Sequence, residues 1–188
     1  GGMSRVLLLR HGATAGNLAR RYIGSTDEPL APAGIAQLRG LRFPAPDHLF
    51  VSPMRRTRQS AALLFPRTPQ TLVEAFRETP FGPFEGKTAD ELAHDPAYRA
   101  WVDSLCRDPI PGQEDPAVQK ARCLAAFRDA MAAVSRQQTA VFVVHGGTIM
   151  TILEALAQPP GEFYDFHLPP GGFLSGTWRG GWLYLDPS

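Results

Sequence analysis

Two histidines end apolar runs in the same way. "VLLLRHG" carries Val6 to Leu9 into Arg10, His11 and Gly12, and "AVFVVHGG" carries Ala140 to Val144 into His145, Gly146 and Gly147. A side chain at the carboxyl end of a parallel strand faces the crevice where ligands gather in α/β proteins, and a following glycine lets the chain turn tightly and present N–H groups. If the two strands are neighbours, His11 and His145 face each other there. A third segment, "SPMRRTRQSA", places Arg55, Arg56 and Arg58 in the first turns of an expected helix. Cations at that end oppose the helix dipole, so their grouping points to an anion held there. Arg10 beside His11 points the same way. Two imidazoles with at least two guanidiniums describe a site for phosphate. A metal centre is the competing reading, but the chain has no HxH or HExxH and no acidic cluster beside either histidine.

The elements that must position these residues can be read from the spacing of apolar residues. Residues 5–9, 48–52 and 139–144 read as buried strands, with a weaker one over 71–75. Helical patterns fall between them, over 32–41, 53–65, 96–106, 115–134 and 147–157. Ser52-Pro53 and Asp115-Pro116 each read as an N-cap followed by Pro at the first helical position, and Thr88 with Glu91 reads as a capping box. Strands alternating with helices predict a parallel sheet. The tail segments "FYDFHL", "GFLSGTW" and "GWLYLD" predict an antiparallel edge. The fold class expected is therefore α/β: a three-layer sandwich with a mostly parallel central sheet, an antiparallel edge and a small helical excursion (about residues 76–113) over the active site.

Composition narrows the class of function. The hydrophobic fraction of 44% and charged fraction of 20% suit a soluble globular chain of 188 residues with one core. With 19 Lys plus Arg against 18 Asp plus Glu, the net charge of +1 gives no general attraction to nucleic acid or anionic lipid. No apolar run reaches membrane-spanning length. Cys106 and Cys123 form no metal-binding spacing and read as reduced thiols, which predicts a cytoplasmic protein. Gly1-Gly2 before Met3 reads as an expression scar, leaving one domain over 3–188.

"LRHGATAGN", "SPMRRTRQSA", "RETPFGPFEGKT" and "VVHGGTI" together resemble the histidine phosphatase superfamily, in its phosphoglycerate mutase-like branch, over about residues 5–151. The resemblance implies that His11 attacks phosphorus and becomes phosphohistidine, and that Arg10, Arg56 and His145 hold the phosphoryl oxygens, with Gly146 beside them. It implies that Thr14 and Asn17 bind phosphate or position the nucleophile. Glu78 stands at the position of the acid/base carboxylate, with Glu85 as its rival in the same block. No metal or other cofactor is implied. Three departures stand out. Pro83-Phe84 occupies a place where Trp is common, Ser60 stands for the usual Thr, and Val144 replaces the Ser often found before the second His, which would remove a supporting hydroxyl.

Within the superfamily, "RYIGSTDEPLAPAG" and "DPIPGQED" are most similar to the α-ribazole phosphatases of cobalamin assembly and to small broad-specificity phosphatases. The expected activity is metal-independent hydrolysis of a small phosphorylated metabolite, with inorganic phosphate as product and a monomer or homodimer as the working unit. Phosphoglycerate mutase-type transfer and a non-enzymatic phospho-ligand binding module are the alternatives; mutases of the family usually carry longer insertions that close the site.

Overall fold

The computed structural model describes residues 2–187. Gly1, half of the expected scar, and Ser188, the expected end of the domain, lie outside the described residues.

The strands are β1 (Ser4–Arg10), β2 (His48–Val51), β3 (Thr71–Leu72), β4 (Thr139–Val144), β5 (Ala157–Gln158), β6 (Phe173–Arg179) and β7 (Trp182–Leu185). They form one sheet in the order β3-β2-β4-β1-β6-β7-β5. β1, β2 and β3 run parallel with their neighbours around β4, whereas β6 lies antiparallel to both β1 and β7. The short β5 pairs in parallel with β7 at the margin. The α/β class, the mostly parallel centre and the antiparallel edge are thus as the sequence predicts.

The helices are α1 (Ala15–Leu18), α2 (Pro32–Arg39), α3 (Arg55–Leu64), α4 (Pro96–Asp103), α5 (Pro116–Ala132) and α6 (Gly146–Leu156). Period-two alternation in the central strands sends neighbouring residues into different layers. Val6, Leu8, Phe142 and Val144 pack with Phe127 of α5 and Ile152 of α6. Leu7, Leu9, Val51 and Val143 pack with Ala61 and Phe65 on the α3 side. Residues 74–113 leave the sheet and build a small core of their own from Phe84, Leu92, Tyr98, Trp101 and Ile110.

Several boundaries differ from the sequence reading. Ser52-Pro53 does not cap α3: the helix begins at Arg55 with Met54 at the N-cap position. Ser52 instead continues the line of β2, donating its N–H to Val143 O at 3.2 Å. "FYDFHL" is not a strand but a 3-10 turn over Phe163–Phe166, closed by Asp165 accepting from Glu162 N. Thr88 and Glu91 make both bonds of a capping box, and turns rather than a helix follow. The strand expected over 71–75 spans only Thr71–Leu72. The helix expected to reach 106 stops at Asp103, and Leu105 and Cys106 adopt left-handed backbone (φ 59° and 58°). Asp115-Pro116 opens α5 as expected, with Asp115 accepting from Ala117 N.

Candidate active site

Arg10 is the last residue of β1, and its register partner is Val144, the last residue of β4. The next residue on each strand is therefore a histidine, and the two rings stand edge-on with centroids 5.3 Å apart. Both are buried, His11 at 3% exposure and His145 at 0%. His11 N–H donates to Val144 O at 3.1 Å, and His11 O accepts from Gly171 N at 2.8 Å, so its backbone is tied on both sides.

The hydrogen bonds of His11 define its tautomer. Nδ1 lies 2.7 Å from Gly12 O, and a carbonyl only accepts, so Nδ1 carries the hydrogen and Nε2 keeps its lone pair. Burial, reinforced by the charges of Arg56 and Arg10, drives the imidazole pKa down to about 3. The ring is neutral at physiological pH and can act as a nucleophile without first losing a proton. Gly12 is required by close packing: a Cβ there would lie 2.9 Å from Leu38 Cδ1 and 3.3 Å from Gly34 O. Its N–H donates to Ser60 Oγ, which in turn donates to Arg56 O, so the hydroxyl at this position links the two motifs.

The cations converge from two directions. Arg10 Nη1 donates to Leu168 O at 2.6 Å, while its buried Nε has no partner. Arg56, 1% exposed on the first turn of α3, donates to Thr26 O at 2.7 Å and Gly24 O at 2.9 Å. Arg55 and Arg58 are exposed and line a separate shallow recess with Gln59 and Gln70. Arg77 faces the main cavity beside Glu78; the sequence reading passed over it because it stands alone among acidic and apolar neighbours.

The two carboxylates of the "RETPFGPFEGKT" block have different surroundings. Glu85 is partly buried, which raises its pKa, but bonds from Thr26 Oγ1 and from Gly24, Phe81 and Thr26 N–H outweigh this and lower it overall. It is a structural acceptor that holds the loop whose carbonyls orient Arg56. Glu78 has a raised pKa because burial outweighs the bond from Thr79 N–H and the attraction of Arg56 and Arg10. Its carboxyl lies over the start of α6, where a Cβ on Gly147 would come within 3.2 Å of Oε1. A Cβ on Gly146 would come within 3.3 Å of Arg10 Nε. The paired glycines therefore admit both the acid and the cation to the N-terminus of an eleven-residue helix.

The remaining residues fall into a supporting ring. Thr14 and Asn17 bond each other reciprocally at the start of α1, Thr14 Oγ1 accepting from Asn17 N and Asn17 Oδ1 from Thr14 N. Thr14 is fully buried. Phe84 is buried in the excursion and forms no wall; that surface belongs to Tyr22, Phe81, Trp101 and Ile110. Val144 brings no hydroxyl to His145, but Ser52, the residue after β2, does: its Oγ lies 2.8 Å from His145 Nε2. Ser52 was read as a helix cap from sequence, because Ser-Pro carries a strong local signal and the contact with residue 145 is non-local. His145 Nδ1, like Arg10 Nε, is buried with no partner. Burial, with the charges of Arg56 and Arg10 and the closeness of the His11 ring, holds His145 neutral, its pKa well below 6.5.

A cavity of about 940 Å³ has Arg10, Glu78, Gly146 and Gly147 in its lining, whereas His11, Arg56 and His145 lie behind these residues and do not line it. No group of three or more His, Cys, Asp or Glu among the described residues is arranged to hold a metal ion. No helix among them is long and apolar enough to cross a membrane.

Comparison with known proteins places this geometry. A family model described as the histidine phosphatase superfamily (branch 1) matches residues 6–183. The adenosylcobalamin/alpha-ribazole phosphatase of Salmonella typhi is 28% identical over 176 residues, covering 89% of this chain and 87% of the relative. A putative alpha-ribazole-5′-P phosphatase from Escherichia coli shares the fold at TM-score 0.84 and 22% identity, over 97% of this chain and 94% of the other. A phosphoserine phosphatase mutant from Entamoeba histolytica, in complex with phosphoserine, matches at TM-score 0.81 and 25% identity, over 98% and 95%.

Proposed function

The chain belongs to the histidine phosphatase superfamily and is a phosphatase, and we propose that it hydrolyses phosphomonoesters through a phosphohistidine formed on His11. The observation that carries the reading is the pair of buried nitrogens without partners, Arg10 Nε and His145 Nδ1, beside the free Nε2 of a neutral His11. A buried polar group left unsatisfied costs about 1–3 kcal/mol, so two in one cluster favour a bound ligand that satisfies both.

In the first step His11 Nε2 bonds to phosphorus as the bond from phosphorus to the ester oxygen breaks. Protonated Glu78 gives its proton to the departing alkoxide. Arg10, Arg56, His145 and the N–H groups at Gly146 and Gly147 stabilise charge on the oxygens that do not react. In the second step a water oxygen attacks the phosphorus, the ionised Glu78 takes a proton from that water, and the bond between nitrogen and phosphorus breaks to release phosphate. Thr14 and Asn17 fix the turn after His11 through their mutual bonds. The positive charge is supplied by side chains, and no metal or cofactor enters either step. Residues 3–188 work as one domain.

We further assign the substrate as a small phosphorylated metabolite with a ring-bearing body, α-ribazole 5′-phosphate being the compound the relatives' names suggest. The cavity supports this, because about 940 Å³ greatly exceeds what phosphate fills and its near wall is aromatic. A panel of α-ribazole 5′-phosphate, phosphoserine and 3-phosphoglycerate tests the assignment by release of inorganic phosphate. The highest kcat/KM is expected for α-ribazole 5′-phosphate. Preference for phosphoserine would overturn the substrate, and isomerisation of 3-phosphoglycerate without net phosphate release would favour the mutase alternative.

A further inference from the structure

We propose that Ser52 is a positioning residue: its hydroxyl fixes His145 in the tautomer that carries hydrogen on Nδ1, so that the ring offers a donor to the phosphoryl group. The consequence for catalysis rests on the phosphatase mechanism above, whereas the tautomer rests on geometry alone.

Ser52 is fully buried at the end of β2, with its backbone held from both directions. Its N–H donates to Val143 O, and its carbonyl accepts from Thr57 Oγ1 at 2.7 Å. This register places Oγ 2.8 Å from His145 Nε2, the one hydrogen-bond partner of that hydroxyl among the described residues. A neutral imidazole has one donor and one acceptor nitrogen, and a hydroxyl has one hydrogen to give. If Nε2 held the hydrogen, it would donate to Oγ, and the hydroxyl hydrogen would be buried with no acceptor. The Nδ1 lone pair would also be buried without a donor. If Ser52 donates to Nε2, the hydroxyl hydrogen and the Nε2 lone pair are both satisfied and a single orphan remains, the N–H at Nδ1.

That orphan is the group an anion completes. Arg10 Nε, the other buried side-chain nitrogen without a partner among the described residues, comes within 3.3 Å of the Cβ position of Gly146, the residue that follows His145. An anionic oxygen bound beside the start of α6 has both nitrogens as candidate donors. The opposite tautomer would turn a lone pair toward the same oxygen. Val144 cannot do this work, since it packs in the apolar layer with Ile149 and Ile152.

The test is nitrogen-15 spectroscopy of the histidine rings in the free enzyme at neutral pH, with His145 assigned by loss of its signals in His145→Asn. The expected spectrum has a protonated, pyrrole-type Nδ1 and a pyridine-type Nε2. Ser52→Ala is expected to shift His145 to the Nε2–H form and to lower kcat/KM on the order of 100-fold, the usual effect of losing one oxyanion donor. Hydrogen on Nε2 or on both nitrogens in the wild-type ring would overturn the proposal, and so would a folded Ser52→Ala protein with an unchanged tautomer. The wild-type spectrum can overturn the proposal even if Ser52→Ala does not fold. Should the tautomer follow Ser52 while no phosphomonoester is turned over, the failure lies with the mechanism and not with Ser52.

Discussion

At the scale of single residues, Glu78 and Glu85 show how surroundings divide two identical side chains into different tasks. Glu85 accepts from Gly24, Thr26 and Phe81 and so anchors the carbonyls that orient Arg56, whereas Glu78 is held by Thr79 N–H alone beside the cavity. Glu78→Gln should lower turnover of an alkyl phosphate by about 10²- to 10⁴-fold, because the poor leaving group needs its proton. It should affect p-nitrophenyl phosphate far less, since that leaving group departs unprotonated. Glu85→Gln should act differently: a loss of about 1–3 kcal/mol of stability and a raised KM, in the same proportion for both substrates. Steady-state kinetics on the two esters, with thermal unfolding of each variant, checks both expectations. A Glu85→Gln enzyme that is stable yet selectively crippled on the alkyl ester would transfer the proton to Glu85. Sequence left these residues as rivals because both are glutamates in one block; hydrogen bonds to residues 24–26 separate them, and those contacts are non-local.

Among the elements, α6 does most to bring the site together. Its first turn is Gly146-Gly147, and helix propensity alone would favour alanine there by up to about 1 kcal/mol per position. The glycines remain because Cβ atoms would crowd Arg10 Nε and Glu78 Oε1. Gly147→Ala should therefore leave thermal stability unchanged or slightly raised while reducing kcat on an alkyl phosphate roughly tenfold, as expected for a small displacement of a reacting group. Unchanged kcat would show that Glu78 is not held against this turn. The central strands and α5 were legible because apolar runs and an Asp-Pro cap are local signals. The Ser-Pro start of α3 and the "FYDFHL" strand were not. Ser52 is claimed by β4 and His145 across the sheet, and Glu162 and Asp165 close a tight turn that alternating apolar residues do not reveal.

For the molecule as a whole, burying cationic and titratable groups in one cluster links function to stability. The folded-state pKa of His11 is about 3 against 6.5 for the free side chain. As pH falls below about 6.5 the unfolded chain takes up a proton that the folded chain refuses, so stability falls with pH until about 3. At pH 5 this amounts to about 2 kcal/mol for His11, with His145 acting in the same direction. The raised pKa of Glu78 works oppositely, since its folded form keeps a proton that the unfolded chain loses. Thermal unfolding at pH 7.5 and pH 5 should show a steeper acid loss for wild type than for His11→Asn, which has no imidazole at that position; parallel losses would show that His11 titrates normally. The order of the four motif blocks was sufficient to identify the family, because the arginines and histidines lie at strand and helix ends that the apolar pattern already marks. The walls of the cavity were not legible, because Tyr22 is distant in the chain from Trp101 and Ile110 and meets them only where the excursion folds back. The central claim, covalent transfer to His11, is tested most directly by quenching the enzyme during turnover of a phosphorus-labelled monoester and mapping the label at alkaline pH. The label should be acid-labile and base-stable, reside on the peptide containing His11 and be absent from His11→Ala. Label on another residue, or full turnover by His11→Ala, would contradict it.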